Sequence, residues 1–431
     1  MNNLVWFGND LRVNDNQSLS NAMQGDNVLA VYFFDPRYYT RDSFGFKKTE
    51  RFRARFLIET VSELKANLQT IHIPLLVFHD RPENVLPDLV NQYNIHQIFK
   101  QKEWTAEETS ILNKVKSNLA PEVQIIESFD QFLFHPDDLP YPSFHSIPNV
   151  FTQFRKRCEK EVAVRPIVSK PSPLPKTNLV ENHTKIPTLK DLGLDDFEMN
   201  PKSAFPFQGG ENEALNRLHH YFWETKKLGY YKKTRNGLVG TDYSSKFSPW
   251  LANGSISAKT IYWEVKKFEK EIKKNQYTYW LVFELIWRDY FKYVSLKHGN
   301  HIFKLEGILQ KDYSWKSDKH HLKSWIAGTT SEPFVNANMK ELAQTGWMSN
   351  RGRQNVASFW AKELQQDWRI GAAYFESMLL DYDVHSNWGN WMYNSGVGND
   401  PRDRKFNIKR QTDMYDSKGK FQNLWLQETL F

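Results

Sequence analysis

Short apolar runs alternate with longer amphipathic stretches over the first 130 residues. Residues 4–7, 28–34, 75–78, 95–99 and 123–126 read as buried strands, each a few apolar residues bounded by polar or turn-forming ones. Between them, residues 47–68 repeat apolar positions at helical spacing (Phe52, Phe56, Leu64, Leu68), and 83–93 and 107–119 predict shorter helices. Strand and helix in strict alternation predict a parallel sheet covered on both faces. No G-x-G-x-x-G follows the first strand, so the domain is Rossmann-like without the phosphate loop.

From residue 136 to 206 the pattern breaks. Prolines at 136, 140, 142, 148, 166, 171, 173, 175, 187, 201 and 206 remove donors and block regular structure, leaving a long connector with one short helix at 151–160. Helical periodicity then takes over at 211–227, 257–274, 279–297, 333–345, 350–362 and 371–379. The division is an α/β domain over 1–130, a connector over 131–205 and an all-α domain over 206–431.

Composition narrows the class. A chain of 431 residues is too long for one ordinary core, and 40% apolar with 25% charged residues is the balance of a soluble protein. Charged or amide residues interrupt every apolar stretch, so no membrane partner is expected. The N-terminus lacks the basic start and apolar core of a leader, which points to the cytoplasm. Cys158 is the only cysteine, which excludes an internal disulfide. No metal site is expected: His219–His220 and His320–His321 are adjacent and should point to different helix faces. Seven surplus positive charges suit a polyanion partner and equally a merely basic soluble protein. The run Lys266, Lys267, Lys270, Lys273, Lys274 reads as a solvated helix face. Of 15 Trp, 12 lie at or beyond Trp250, an excess that needs partners for many indole N–H groups.

Four clusters in the helical half carry candidate chemistry. Residues 241–249 (T-D-Y-S-S-K-F-S-P) crowd hydroxyls and backbone N–H groups before a helix, either a cradle for a diphosphate or a capped Ser-rich turn. Glu284 and Trp287 share a helix face, as a carboxyl and an indole able to bond and stack a flat base. Asn350 and Arg353 follow a glycine turn. Residues 381–394 (D-Y-D-V-H-S-N-W-G-N-W-M-Y-N) hold too many polar and aromatic groups, with too little periodicity, for simple core. An Asp there paired with Arg353 is a candidate buried ion pair.

Together these runs resemble the photolyase/cryptochrome family over nearly the whole chain. W-F-G-N-D-L-R-V-N-D-N at 6–16, E-L-I-W-R-D-Y at 284–290, T-G-W-M-S-N-R-G-R at 345–353 and D-Y-D at 381–383 stand in the family's order. The resemblance implies an α/β antenna domain, a connector and a helical FAD-binding catalytic domain. By position, Tyr231, Ser244, Ser245, Lys246, Phe247 and Ser248 would embrace the diphosphate and adenosine. Arg353, Asp381, Asp383 and Asn387 would surround the isoalloxazine, with Asn350 alongside. Glu284, Trp287, Asn350, Gln354 and Tyr393 would receive a flipped pyrimidine dimer. Trp391, Trp368 and Trp315 fall on the family's electron relay. Arg288, Arg351 and Arg402 are candidate phosphate grips.

Tyr393 and Gln354 stand where conventional bacterial photolyases carry Trp and Met. Together with 230–236, 242–246 and the stretch from Gly398 to Gln411 they resemble the DASH cryptochromes. That implies blue-light repair of cyclobutane dimers in DNA, single strands preferred, by electron transfer from reduced FAD. RNA is a further candidate partner, and a monomer without an obligate protein partner is expected. The alternative is a photoreceptor that signals without efficient repair; with Phe431 following soon after the last family motif, the long tail of signalling cryptochromes is not expected. An antenna of methenyltetrahydrofolate would use Glu103 or Glu107, with a flavin, a deazaflavin or none left open.

Overall fold

The computed structural model describes residues 1–311 and 313–427. Strands β1 (Asn2–Trp6), β2 (Asn27–Phe33), β3 (Leu75–Phe78), β4 (Ile95–Gln101) and β5 (Gln124–Ser128) form one parallel sheet in the order β3-β2-β1-β4-β5. β1 is apolar on both sides because both faces are covered: Val5 sits in one core and Leu4 and Trp6 in the other. The flanking helices are α1 (Gln17–Ala22), α2 (Arg51–Gln69), α3 (Pro82–Tyr93) and α4 (Ala106–Asn118). All five expected strands are present. α1 was not expected; Asn16 caps it through the Leu19 N–H.

The connector holds α5 (Phe151–Glu161) and otherwise folds back on the sheet domain. Asn178 bonds Val28 through both its amide oxygen and nitrogen, at 2.8 and 2.9 Å, and Leu189, Leu192 and Leu194 complete a core beneath the sheet. Asp289 ties it to the helical domain by accepting the Leu133 and Phe134 N–H groups. Burial pushes that carboxyl up to about 7, against the two N–H groups.

The helical domain runs α6 (Glu211–His219), α7 (Tyr231–Thr234), α8 (Ser248–Ala252), α9 (Ala258–Glu271), α10 (Gln276–His298), α11 (Lys319–Ala327) and α12 (Pro333–Thr345). It continues with α13 (Asn350–Ser358), α14 (Trp368–Met378), α15 (Val384–Ser395), α16 (Ile408–Tyr415) and α17 (Lys420–Leu426). α6 and α13 each end in a wide π turn, at His220–Glu224 and Phe359–Glu363, so the helix expected over 350–362 reaches its end with a changed pitch while that expected over 211–227 stops at Glu224. The first turn also corrects the expectation for its histidines. His219 and His220 both reach Glu224, at 3.2 and 2.8 Å, because the extra residue in the turn brings neighbouring side chains round to one long carboxylate. Of the lysine run read as a solvated face, Lys267, Lys270, Lys273 and Lys274 are exposed and Lys266 is half-buried.

The run at 6–16 forms the seam between the domains. Arg12 donates to the Asp130 carboxylate (2.7 Å), to the Asp15 carbonyl and to the Gly254 carbonyl (3.0 Å), while Glu211 accepts the Val13 and Asn14 N–H groups. Gly254 has φ +75°, and a Cβ there would overlap the Asn9 carbonyl. Among the described residues no helix is long and apolar enough to cross a membrane, and no group of three or more His, Cys, Asp or Glu is placed to hold a metal.

Candidate functional site

The anticipated ion pair is present. Ser349 caps α13 by accepting the Gly352 N–H, and Arg353 one turn on donates through Nε to the Met348 carbonyl (2.9 Å). Its Nη2 reaches both oxygens of buried Asp381 at 2.9 Å. Gly352 is required here, since any Cβ would overlap Asn338 of α12. Asp383 caps α15 through the Ser386 N–H (2.7 Å) and pairs with Lys292 (3.1 Å). Burial alone would raise its carboxyl, but Lys292, His385 and Arg288 outweigh it and hold it far below the usual carboxylate range. Asn387 joins α15 to α14 by donating to the Ala372 carbonyl at 3.0 Å.

In the hydroxyl-rich segment Ser245, Lys246 and Phe247 are buried, Ser244 is half-buried, and Ser248 is exposed as the first residue of the short α8. Arg217 fixes the segment by donating to the carbonyls of Thr241, Ser244 and Ser245. Lys246 takes a left-handed φ of +65°, which carries a non-glycine residue against its preference. Its Nζ, without a hydrogen-bond partner, lies 3.4 Å from the Tyr243 ring centroid and 4.4 Å from that of Trp347. Burial drives its pKa well below normal, with Glu341 opposing. Glu341 on α12 also leaves both oxygens buried without partners, and burial raises it to about 8 against Lys246 and Arg353. Gln354 Oε1 and Asn355 Oδ1 are orphaned in the same way. Orphaned buried polar atoms at this density call for a polar ligand, and a dinucleotide fits them, its diphosphate accepting from Lys246 and its hydroxyls and ring N–H groups donating to the orphaned oxygens.

Sequence reading missed Glu341 and Arg217. The available signal for Glu341 was a carboxylate on a helix among Val335, Met339 and Leu342, all fully buried.

α10 supplies the candidate substrate residues. Trp287 stacks on Phe151 of α5 at 3.6 Å between centroids and 13° between planes, and meets Tyr393 of α15 edge-on at 5.9 Å. Glu284, one turn earlier, is paired with Arg235 at 2.7 Å; burial raises its carboxyl and Arg235 opposes that rise. Tyr231 is buried beside them. Gln354 is half-buried, whereas Asn350 opens α13 in an exposed position. Of the indoles, Trp391 and Trp368 are fully covered and Trp315 is half-exposed. Trp391 packs edge-on to Trp325 (6.3 Å) and Phe375 (5.1 Å), Trp368 to Trp388 (5.7 Å), and Trp315 to Tyr313 (5.5 Å). Of the three arginines read as phosphate grips, Arg288 is turned inward. It donates to the Gln131 and Leu251 carbonyls at 2.6 and 3.0 Å and lines an internal cavity. Arg351 lies over the Tyr415 ring, and Arg402 is exposed.

That cavity, about 550 Å³, opens between the domains at the carboxyl ends of β1, β2 and β4, where the strand order reverses. Such a switch point leaves a crevice because the crossovers on its two sides diverge. Glu103, Glu107, Lys292, Asp383 and His385 all line it. Gln101 donates to Glu103 at 2.8 Å, and burial pushes Glu103 up to about 7, with Lys292 opposing. Glu107 is exposed and paired with Lys48. His385 stacks on Trp104 at 4.6 Å, and burial, with Lys292 adding to it, holds its pKa well below normal.

A family model described as DNA photolyase matches residues 3–176, and one described as the FAD binding domain of DNA photolyase matches residues 280–430. The chain is 46% identical to the cryptochrome DASH of Gloeobacter violaceus, over 99% of its own length and 85% of that protein. It superposes on the crystal structure of a Synechocystis cryptochrome with a TM-score of 0.95 at 44% identity, covering 99% of this chain and 89% of that one. An archaeal photolyase from Sulfolobus tokodaii, solved with two FAD molecules, gives a TM-score of 0.79 at 26% identity over 99% and 90%.

Proposed function

The chain belongs to the photolyase/cryptochrome family, among the DASH cryptochromes, and on that premise we propose that it repairs cyclobutane pyrimidine dimers in single-stranded DNA under blue light. The observation that carries this reading is that Glu284 and Trp287 stand one turn apart on α10 while Tyr393 meets the indole edge-on: a carboxyl to accept an imide N–H beside two rings to hold a flipped, flat lesion. Reduced FAD, when bound, would supply a light-driven one-electron donor that recovers the electron after the dimer has split, so the reaction carries no net redox change.

The chain's own residues do the rest. Tyr231 and the segment Ser244, Ser245, Lys246, Phe247 and Ser248 hold the diphosphate and adenosine end. Arg353 with Asp381, then Asp383, Asn387 and Asn350, bound the isoalloxazine. Glu284 accepts the imide N–H groups of the bases, Trp287 and Tyr393 clamp the dimer, and Gln354 and Asn350 line the pocket. Trp391, Trp368 and Trp315 carry an electron inward from the surface. The single-strand preference follows from magnitudes. Opening a duplex costs a few kcal/mol, and Tyr in place of Trp at 393 gives up part of a stacking contribution of about 1–3 kcal/mol.

The cavity at the switch point is the antenna site in this reading, with Glu103 as the group that bonds the chromophore. Methenyltetrahydrofolate is the expected occupant; the second FAD of the Sulfolobus protein supports a flavin as the other candidate. A monomer in the cytoplasm, with RNA as a secondary partner, completes the proposal.

The test is a repair assay on the flavin-reduced protein with matched single- and double-stranded oligonucleotides carrying one thymine dimer. Repair of the single strand alone is expected. Repair of neither, by a protein with photoreducible flavin, would replace this reading with a photoreceptor.

A further inference from the structure

α10 presents more aromatic surface than the substrate group uses. Trp280, Phe283 and Trp287 recur at i, i+3 and i+7, hence on one face, and all three are half-buried. Their rings continue one another. Trp280 stacks on Phe283 (4.4 Å, 25°), Phe283 meets Phe151 edge-on (5.3 Å), and Phe151 stacks on Trp287. The far end is capped by a cation: Lys232 Nζ lies 4.2 Å from the Trp280 centroid and donates to neutral Gln276 at 3.1 Å. Arg155, beside Phe283, and Arg235, 5.8 Å from the Trp280 centroid, are already paired with Glu159 and Glu284, which leaves Lys232 as the cation beside these rings without a carboxylate partner among the described residues. Rings packed wholly inside a core would not show this solvent exposure.

We propose that Trp280, backed by Phe283 and covered by Lys232, forms a ledge whose outer indole face stacks a base of the single strand flanking the lesion. This rests on the reading above, which seats the dimer at Trp287 and Tyr393. Seven residues of helix separate Trp280 from Trp287, about 10 Å at ~1.5 Å per residue. A stacked strand advances ~3.4 Å per nucleotide, so the ledge meets the chain about three nucleotides from the dimer.

Binding is an exchange. Lys232 leaves the indole for a phosphate, and a base takes the ring face it vacates. A cation over an exposed indole is favoured by about two- to fivefold, and a base stacked there by about five- to a hundredfold, so the exchange runs toward the bound strand. Duplex bases keep their faces inside the helix and gain nothing from the ledge.

The experiment measures dark binding of the FAD-loaded protein to single-stranded oligonucleotides in which a thymine dimer carries zero, three or six flanking nucleotides on one side. In the unaltered protein, affinity rises sharply between zero and three nucleotides on the side that meets the ledge. Trp280→Leu and Phe283→Leu, which keep apolar bulk but remove the ring, shrink that increment at least about fivefold. Lys232→Gln lowers the salt slope by about 0.7. A second measurement needs no variant: 5-bromouracil three nucleotides from the dimer photocrosslinks to the peptide containing Trp280. An increment untouched by Trp280→Leu in a flavin-loaded variant, or a crosslink that avoids that peptide, overturns the ledge even if repair proceeds. Ring-dependent binding without preference for the dimer supports the ledge and sinks the repair reading instead.

Discussion

Arg235, the residue that ends α7, places Nη1 2.7 Å from Oε1 of Glu284, so the carboxyl proposed to meet the lesion is held by a guanidinium from a neighbouring element. Glu284→Gln removes a charge-assisted bond, worth about 1.5–3 kcal/mol, and should weaken dimer binding about tenfold or more, measured by titration in the dark. Arg235→Gln should act through pH. Without the positive charge Glu284 resists ionisation more strongly, so the transition in repair yield against pH moves upward.

The Arg353–Asp381 pair predicts an asymmetric pair of variants. Asp381→Asn leaves a guanidinium beside a site already rich in orphaned polar groups, at a cost of about 2–4 kcal/mol. FAD occupancy, read from absorbance, should fall together with the urea midpoint. Arg353→Lys keeps the charge but not the fork that grips both oxygens of Asp381 and the Met348 carbonyl. It should retain more stability than Asp381→Asn while still losing flavin.

Withdrawal from water at the cavity wall pushes the half-buried Glu103 carboxyl up to about 7, with Lys292 opposing. As a carboxylate it accepts N–H donors from a chromophore, and that form dominates only above this value. Retention of the near-ultraviolet chromophore should therefore increase from pH 6 to pH 8. Glu103→Gln should remove that dependence and most of the bound chromophore, whereas Glu107→Gln should change little, since Glu107 is exposed and paired with Lys48.

Gly254→Ala should destabilise the whole protein by about 2–4 kcal/mol, combining a left-handed φ with a collision against backbone. Urea denaturation checks it. A milder loss would mean that the seam between the domains relaxes more easily than its geometry suggests.

Much of this was legible before the fold. Strands buried on both faces announce themselves as continuous apolar runs, as β1 and β2 did, whereas β5, expected to be buried, lies at the sheet's edge and is only half-buried. α15 did not, for a physical reason: its polar residues bond along its own axis. Asn390 donates to the Ser386 carbonyl and Asn394 to that of Asn390, so amides occupy positions where a periodicity count looks for apolar side chains. α1 was too short and polar to count. In the site, Arg353 with Asp381 was readable because each lay in a dense cluster. Arg235 and Glu341 were not, since the partner of a charge is set by tertiary contact, and single carboxylates on a helix look alike in sequence.

The seam through Arg12 also governs how the molecule can come apart. Cleavage within the connector would leave the sheet domain with a guanidinium stripped of the Gly254 carbonyl, and with the Val13 and Asn14 N–H groups stripped of Glu211. Neither fragment would then be self-sufficient. The chain should melt in one cooperative calorimetric transition, and limited proteolysis should yield either intact protein or small peptides, with no surviving half.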